Sequence, residues 1–295
     1  MKVLVALDGS SGSDVVLQKV EGRPWPEGTQ FCLFTALDPF FFTKAPLLLE
    51  QAKKTEQESL EEAAEQVKKT NRDVSIEVVV ENPRHAIPAL ARAWKADWIL
   101  IGSHGRGAFA RLLLGSTAQY VLRHATCSVE IVRHVHHEKT EEKPGALRIL
   151  IPTDGSECAL TALRSVAERP WPEGTVCRVI STPEVPIFTA DYPYYEPNLI
   201  REAITSNEAH AKDAVDQGLK IMKARGLNAI GEVTQPKESA VRAILSLSDE
   251  WQADLIVLGS HGRRGLDRFL LGSVSEAVAL HAHCSVGVVR QTEQK

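Results

Sequence analysis

The sequence predicts an α/β protein made of two tandem domains, each with a five-stranded parallel sheet and helices on both faces. Short apolar runs alternate with amphipathic stretches along the chain. The second half repeats the order of these segments, and 295 residues suit two domains of ordinary size. Right-handed crossovers permit few five-strand orders, and 3-2-1-4-5 is the simplest of them.

The first strand, KVLVAL, is a continuous apolar run of the kind that parallel sheets bury. After it we expect a helix that is capped by Ser11 or Ser13. FCLFTAL predicts a second strand, and residues 38–49 are expected to be irregular because they carry two prolines. The charged stretch over residues 50–69 predicts a long amphipathic helix.

The rest of the first half continues the alternation. VSIEVVV predicts a third strand, DWILIG a fourth and CSVEIVR a fifth. The helices between them are expected at residues 86–96 and 115–124. In the 3-2-1-4-5 order the first and fourth strands are neighbours at the switch point, where open α/β sheets bind ligands.

The second half matches the first closely enough for the two to be aligned. RILIPTDGS matches KVLVALDGS, the turn RPWPEGT occurs in both halves, and AWKADWILIGSHG corresponds to EWQADLIVLGSHG. The offset between matching residues grows from 146 at the first strand to 157 at the fourth, so eleven residues are inserted. We expect them in PEVPIFTADYPYYEPN and in the helix after it.

A polar segment, HVHHEKTEEKPGA, separates the two halves and predicts a linker. It sets the expected domains at residues 1–140 and 141–295. Its histidines, His134, His136 and His137, could instead form a metal clip. No fixed partner is evident in the neighbouring sequence, so a solvated linker is the favoured interpretation.

Composition and charge exclude several classes of function. The net charge is −4, and the arginine clusters are too small to follow a nucleic-acid backbone. No run approaches the ~18 apolar residues of a membrane span, and the N-terminal MKVLVALDGSS predicts a strand rather than a signal peptide. The five cysteines include no C-x-x-C pair, which indicates reduced thiols and a cytoplasmic protein.

Two of these cysteines, Cys127 and Cys284, occupy matching positions just before the last strand of each half. The match is compatible with a redox or metal role. A small buried residue at a helix–strand junction is the simpler interpretation.

Each half contains one glycine-rich loop directly after its fourth strand, with the spacing G-x2-G-x9-G-S and a helical pattern behind it. Strand, glycine loop and helix start form the arrangement in which bare N–H groups surround an anion. Glycine suits such a loop because it permits positive φ and close approach of a phosphate. The serine can cap the helix, contact a phosphate, or do both.

Neither of the commoner phosphate loops fits, because no Gly-Lys-Ser or Gly-Lys-Thr occurs and neither copy completes G-x-G-x-x-G. The pattern resembles the nucleotide loop of the universal stress protein family, and the resemblance spans nearly the whole chain. It implies Rossmann-like domains of the adenine nucleotide alpha hydrolase type, with ATP or a related adenine nucleotide at the switch point and Mg²⁺ or Mn²⁺ on the phosphates. The alternative is a pair of glycine turns that bind nothing.

The resemblance also implies which residues bind the nucleotide. In the first half they are Asp8, Gly102, His104, Gly105, Gly115, Ser116 and Thr117, and in the second half Asp154, Gly259, His261, Gly262, Gly272, Ser273 and Val274. Family members commonly have an apolar residue after Gly-Ser. Val274 fits that pattern and Thr117 departs from it, so the sequence favours the second site.

Asp8 and Asp154 each follow a first strand. A carboxylate in this position can accept hydrogen bonds from a ribose hydroxyl or an adenine amino group. It can also close an Asx turn or cap the first helix. The two roles are compatible, and the sequence leaves both open.

His104 and His261 lie between loop glycines, and the resemblance implies that they contact the triphosphate. Arg106 and Arg263, two residues further on, offer fixed positive charge. No Ser/His/Asp set or pair of carboxylates can be placed around them, so no catalytic residue is assigned.

The functional hypothesis is a universal stress protein that binds ATP in one or both domains and acts as a nucleotide-dependent stress-response or regulatory protein. We expect no efficient enzyme, because phosphoryl transfer requires a positioned nucleophile that the sequence does not reveal. The alternatives are a slow ATPase or phosphotransferase, and a stress or partner-binding protein with vestigial loops.

The last strands, SVEIVR and SVGVVR, are apolar and lie at the sheet edge, where they invite pairing with another strand. The linker keeps the second edge close to the first. We therefore expect an internal dimer formed by antiparallel contact of these strands, either as a monomer or as a homodimer of such units. The residues expected near its pseudo-twofold axis are Val129, Ile131, Val286 and Val288, and Glu130 is the one charged interruption.

Overall fold

The computed structural model of the protein describes residues 1–70, 72–105, 114–134, 146–183, 197–235, 239–263 and 271–291. Strands and helices alternate through both halves. The first half contains β1 (Lys2–Ala6), α1 (Ser11–Gly22), β2 (Gln30–Leu37), a 3₁₀ turn (Pro39–Phe42), α2 (Pro46–Lys68), β3 (Asp73–Val80), α3 (Pro83–Trp94), β4 (Trp98–Gly102), α4 (Ser116–His124) and β5 (Ser128–Val132). The second half contains β6 (Arg148–Pro152), α5 (Glu157–Ala167), β7 (Val176–Ser181), α6 (Pro197–Ala224), β8 (Asn228–Val233), α7 (Ala240–Glu250), β9 (Leu255–Gly259), α8 (Ser273–His281) and β10 (Ser285–Val289).

The ten strands form one continuous sheet in the order β3-β2-β1-β4-β5-β10-β9-β6-β7-β8. Within each half all neighbouring strands are parallel, and each half has the predicted order 3-2-1-4-5. The halves join where β5 pairs with β10 in the antiparallel direction. The predicted fold class and the predicted pairing of the two last strands are therefore confirmed.

Helices cover both faces of this sheet because successive strand residues point to opposite sides. In β1, Leu4 belongs to the apolar core on one face, whereas Val3 and Val5 belong to the core on the other. The first core is closed by α3, α4, α7 and α8, and the second by α1, α2, α5 and α6. Each core runs through both halves, so the two domains share their hydrophobic interior.

The antiparallel junction places the predicted valines and isoleucine at the centre of the molecule. Val286 pairs with Ile131, Val288 pairs with Val129, and Gly287 lies opposite Glu130. The four apolar residues are almost completely buried, and so is Glu130, at 1% exposure.

Two arginines from the repeated turn RPWPEGT converge on Glu130. Arg23 donates two hydrogen bonds to its carboxylate, of 2.8 and 2.7 Å. Arg169, the matching residue of the second half, lies 4.0 Å from the same carboxylate and 3.9 Å above the ring of Trp98. The sequence predicted only a turn here, and the structure shows that the turn also directs an arginine into the interface between the halves.

Burial raises the pKa of the Glu130 carboxyl, but the charge and hydrogen bonds of Arg23, the charge of Arg169 and the charge of Lys19 lower it by more. The net result is a pKa below the usual value. Burial lowers the pKa of Arg169 to about 10, so its guanidinium is still charged at neutral pH. The interface therefore holds one buried carboxylate between two buried cations.

Several predicted element boundaries were wrong. The helix expected at residues 50–69 begins at Pro46, and the region expected to be irregular also contains a 3₁₀ turn, in which the Asp38 carboxylate accepts from the N–H of Phe40. The helix expected at residues 86–96 begins at Pro83 behind an Asn82 cap and ends before Lys95, whose φ is 56°. Both helices begin at a proline, which a helix tolerates in its first turn.

The expected cap of α1 was also wrong. Ser10 occupies the N-cap position and its side chain makes no cap hydrogen bond. The hydroxyl of Ser13 instead accepts from the N–H of Asp8 and donates to the Asp8 carboxylate. These serines therefore fix Asp8 rather than the helix end.

The predicted insertion and linker fall largely outside the described residues. Residues 184–196 and 135–145 are not described, and with them His136 and His137. Part of the insertion is visible because α6 has 28 residues and its counterpart α2 has 23. Across the described ranges no helix combines the length and the apolar character needed to cross a lipid bilayer.

Candidate functional site

Both glycine loops leave the sheet next to a first strand. β1 pairs with β4 and β6 pairs with β9, so Asp8 and the Gly102 loop meet at one switch point, and Asp154 and the Gly259 loop meet at the other. This is the crevice in which open α/β sheets bind ligands. The predicted meeting of strand ends is confirmed in both halves.

One hydrogen bond closes each loop in the same way. The N–H of Gly115 donates to the carbonyl of Ser103 over 2.7 Å, and the N–H of Gly272 donates to the carbonyl of Ser260 over 2.7 Å. The beginning and the end of each loop are thus held together. The residues between them, 106–113 and 264–270, are outside the described part of the chain, and Arg106 is among them.

Gly105, Gly259 and Gly262 are required by close packing rather than by positive φ, contrary to one of the two reasons predicted. Positive φ occurs instead at Gly9 and Gly155, in the Asp-Gly-Ser turns. A Cβ on Gly105 would lie 2.5 Å from Asp8 Oδ2, and one on Gly262 would lie 2.5 Å from Asp154 Oδ2. Each aspartate is therefore packed against the backbone of its loop.

The serine after each loop does not cap its helix. Gly115 and Gly272 occupy the N-cap positions, without a side-chain cap, and Ser116 and Ser273 are the exposed first residues of α4 and α8. The N–H groups of a first helical turn have no partner within the helix. With glycine at the cap, these donors face the loop and can be used by an anion.

Both aspartates close the Asx turn that the sequence allowed. Asp8 Oδ1 accepts from the N–H of Ser10 over 3.1 Å, and Asp154 Oδ1 accepts from the N–H of Ser156 over 2.9 Å. The second carboxylate also receives the N–H of Arg263 over 2.9 Å, which ties the Gly259 loop to β6. The structural role of each aspartate is therefore established, and it leaves each carboxylate at the switch point.

The two loop histidines have different surroundings. In both, Nδ1 lies 3.0 Å from the hydroxyl of the preceding serine. His261 Nε2 is 3.0 Å from Cys158 Sγ, whereas His104 Nε2 is shielded from solvent and has no hydrogen-bond partner among the described residues. Gly12 stands at the position that matches Cys158. Aligning the two helix starts would have exposed this difference, which the sequence predictions overlooked.

A cavity of about 520 Å³ lies at the switch point of the first half. All seven residues predicted for the first site line it. They are Asp8, Gly102, His104, Gly105, Gly115, Ser116 and Thr117. Sequence reasoning missed the apolar part of the wall, to which Phe34, Phe41, Pro83, Ile87 and Ile101 contribute.

The second half brings its predicted residues together at the loop end of the site. Gly262 touches Asp154, and a Cβ on Gly272 would lie 3.1 Å from the Cα of His261. The hydroxyl of Ser275 donates to the carbonyl of Gly259 over 2.7 Å, and Val274 is partly buried against the core. Most counterparts of the apolar wall are described, namely Ile180, Ala240, Ile244 and Leu258, whereas the counterpart of Phe41 falls in residues 184–196, outside the described chain.

Comparison with known proteins identifies relatives for both halves. A sequence profile of the universal stress protein family matches residues 1–133 and 146–290. A universal stress protein of Mycolicibacterium smegmatis is 25% identical over 98% of this chain and 96% of its own length. One from Synechocystis is 30% identical over 45% of this chain and 97% of its own. The crystal structure of a universal stress protein from Archaeoglobus fulgidus covers 100% of this chain and 97% of its own, with a TM-score of 0.66 and 20% identity.

Proposed function

The chain belongs to the universal stress protein family, and we propose that it binds ATP in the cavity of its first half. The observation that carries the proposal is that one half-open cavity of about 520 Å³, a common size for small-molecule sites, is lined by all seven residues predicted for that site. The sequence favoured the second loop because of Val274. The described geometry supports the first loop more strongly.

One end of the cavity is apolar and the other offers backbone N–H groups. ATP likewise has a purine base at one end and phosphates at the other. Phe41, Pro83 and Ile87 offer an apolar surface to a purine base. Gly102, Gly105 and Gly115 offer backbone beside the start of α4, where N–H groups and the helix dipole favour a phosphate. Asp8 lies between strand end and loop, where its carboxylate can accept from a ribose hydroxyl.

His104 supports the phosphate end. Its Nε2 is buried and has no partner among the residues that the structure describes, and such an atom costs free energy unless something satisfies it. When the Ser103 hydroxyl donates to Nδ1, the hydrogen of the neutral ring is on Nε2, where it can be donated to a phosphate oxygen. The first loop thus offers one side-chain donor in addition to its backbone.

A divalent ion, Mg²⁺ or Mn²⁺, fits this site only together with the phosphates. Within the described ranges no group of three His, Cys, Asp or Glu side chains could hold a metal ion alone. An ion would then take most of its ligands from phosphate oxygens and water, as Mg²⁺ commonly does. Slow or absent hydrolysis, a regulatory role in stress, a cytoplasmic location and a homodimer remain expectations from the sequence.

Calorimetric titration of the full chain with ATP, with and without Mg²⁺, tests the proposal. The variant Gly115→Val places a Cβ 3.2 Å from the carbonyl of Ser103 and should abolish binding at the first site. The matched variant Gly272→Val should leave that binding intact. Absence of ATP binding to the unmodified protein under both conditions would refute the proposed function.

A further inference from the structure

The second half contains a thiol–imidazole pair that the first half lacks. Cys158 Sγ lies 3.0 Å from His261 Nε2 and 3.7 Å from Nδ1. The matching position of the first half is Gly12, where a Cβ would already lie 2.7 Å from the carbonyl oxygen of His104. The repeat has therefore diverged at one position that touches the loop histidine in both halves.

Cys158 lies against the ring of His261, a base that can activate a thiol. A nucleophile within about 2.6–3.2 Å of a base that is itself oriented by a third group is the general arrangement of nucleophilic sites. His261 is the base in the tautomer whose Nδ1–H donates to the Ser260 hydroxyl, 3.0 Å away, because Nε2 is then the acceptor and the serine orients the ring. The two distances place Sγ beside the face of the ring, and a turn of the ring brings Nε2 into line to take the thiol proton.

The position of Cys158 near the start of α5 also favours the thiolate form of its side chain. It is the second residue of α5, two positions after the N-cap Ser156. The N-terminal end of a helix carries partial positive charge and stabilises a thiolate there. The imidazolium that results from proton transfer adds a full positive charge next to the sulfur.

The other four cysteines lie in apolar surroundings that oppose ionisation. Burial raises the pKa of Cys127, Cys177 and Cys284 to about 12. It also raises the pKa of Cys32. All five cysteines are buried thiols, so the chain carries four internal references against which Cys158 can be measured.

We propose that Cys158 is a modification site, a nucleophilic thiol that reacts with small electrophiles and in particular with hydroperoxides. In the reaction with a hydroperoxide, His261 Nε2 takes the thiol proton and the sulfur attacks one peroxide oxygen. The S–O bond forms as the O–O bond breaks. The departing hydroxide or alkoxide takes the proton back from the imidazolium and leaves as water or an alcohol.

The peroxide is the oxidant in this step. Sulfur is oxidised by two electrons to a sulfenic acid, and the peroxide is reduced by the same two electrons. Adding an oxygen to Sγ changes the contact between Cys158 and His261. Modification would thus alter the second glycine loop and leave the first one unchanged.

Competitive alkylation of the native full-length protein tests the proposal. Limiting iodoacetamide, followed by mass spectrometry of the peptides, gives the relative rates of all five cysteines. We expect Cys158 to react at least about tenfold faster than the other four at pH 7. Equal or slower alkylation of Cys158 would overturn the proposal, whatever the outcome for ATP binding.

Two variants separate the role of the imidazole from simple exposure. His261→Gln should reduce the Cys158 rate at pH 7 and shift its pH profile to higher pH, whereas His210→Gln, in an exposed position of α6, should change neither. An unchanged profile in His261→Gln would refute a role of the ring. In a second arm, hydrogen peroxide followed by dimedone should trap a sulfenic acid on Cys158, and its absence there would contradict the hydroperoxide assignment.

Discussion

Arg133 and Arg290 make the same contact in opposite directions across the junction of the two halves. Arg133 Nη2 donates to the carbonyl of Ala279 in α8 over 2.6 Å, and Arg290 Nη2 donates to the carbonyl of Leu122 in α4 over 2.9 Å. Each arginine follows the last strand of one half. Its guanidinium donates a hydrogen bond to a carbonyl near the C-terminus of the last helix of the other half. Carbonyls at a helix C-terminus lack partners within the helix and favour a cation.

Replacing either arginine should therefore destabilise both halves together. We expect Arg133→Met and Arg290→Met each to lower the free energy of unfolding by about 1.5–3 kcal/mol, the usual worth of a hydrogen bond to a charged group. Urea denaturation measures the change. Arg164→Met is the control because its pair with Glu157 lies on the surface and should contribute less than about 1 kcal/mol.

Glu130 should be the most sensitive charged residue of the interface. Glu130→Gln leaves Arg23 and Arg169 buried without a counter-charge, and we expect a loss of about 3–5 kcal/mol in the free energy of unfolding at pH 7. Glu276→Gln breaks the more exposed ion pair between Arg123 and Glu276, also across the junction, and should cost less than about 1 kcal/mol.

The contribution of Glu130 should also depend on pH. Its pKa is lowered in the folded protein, so its stabilisation is fully present above the unfolded value of about 4.3 and is lost as pH falls through the lower folded value. The difference in unfolding free energy between the unmodified protein and Glu130→Gln should therefore be constant from pH 6 to 8 and shrink in acid. A difference that grows in acid would contradict the ionised state of Glu130.

Phe41 should determine affinity for the base but not for the phosphates. The ring lines the cavity and is 78% exposed, so a bound base can stack on it. Stacking of a base on an aromatic side chain is worth about 1–3 kcal/mol, so Phe41→Ala should weaken ATP binding by roughly 5- to 150-fold. Inorganic tripolyphosphate should bind equally well to both proteins.

Phe40 provides the matched control for this measurement. It is the neighbouring residue, is 75% exposed, and is not among the residues that line the cavity. Phe40→Ala should leave ATP affinity within about twofold, well below the effect of a lost stacking contact. Equal weakening by both variants would indicate a general effect on the 3₁₀ turn rather than stacking.

Two glycines of α1 should respond to alanine with opposite signs. A Cβ on Gly12 would lie 2.7 Å from the carbonyl oxygen of His104, so Gly12→Ala should destabilise the protein by about 1–3 kcal/mol and weaken ATP binding by displacing the loop. A Cβ on Gly22 would have no atom within 4 Å, and Gly22→Ala should stabilise by up to about 1 kcal/mol. Thermal unfolding and ATP titration of the two variants check both signs.

The sequence was sufficient for the fold because topology follows from repeated local patterns. The glycine loops, the alternation of strands and helices, and the apolar last strands together predicted the sheet order and its antiparallel junction. The seven residues that the family resemblance implied for the first site all line one cavity, since the motif places them at the ends of adjacent strands.

Features that depend on contacts between distant segments were not predicted. The turn RPWPEGT revealed its shape but not that Arg23 reaches a carboxylate 107 positions away. Cys158 and His261 are 103 positions apart. Phe41 lines the cavity because the 3₁₀ turn places it there. The serine caps were predicted wrongly because Asp8 competes for the hydroxyl of Ser13 and glycine takes the N-cap of α4 and α8.

The pairing of Glu130 with Gly287 has a consequence for assembly. In an isologous dimer of identical subunits, a twofold axis at this point would set the residue opposite its own copy. Glutamate would then face glutamate across a buried strand pair, and like charges directly opposite one another are unfavourable. Glycine in both places would leave the two arginines without an anion. Joining both copies in one polypeptide removes the constraint of self-complementarity, so a single carboxylate can serve two cations and each half can acquire residues that its twin could not accept.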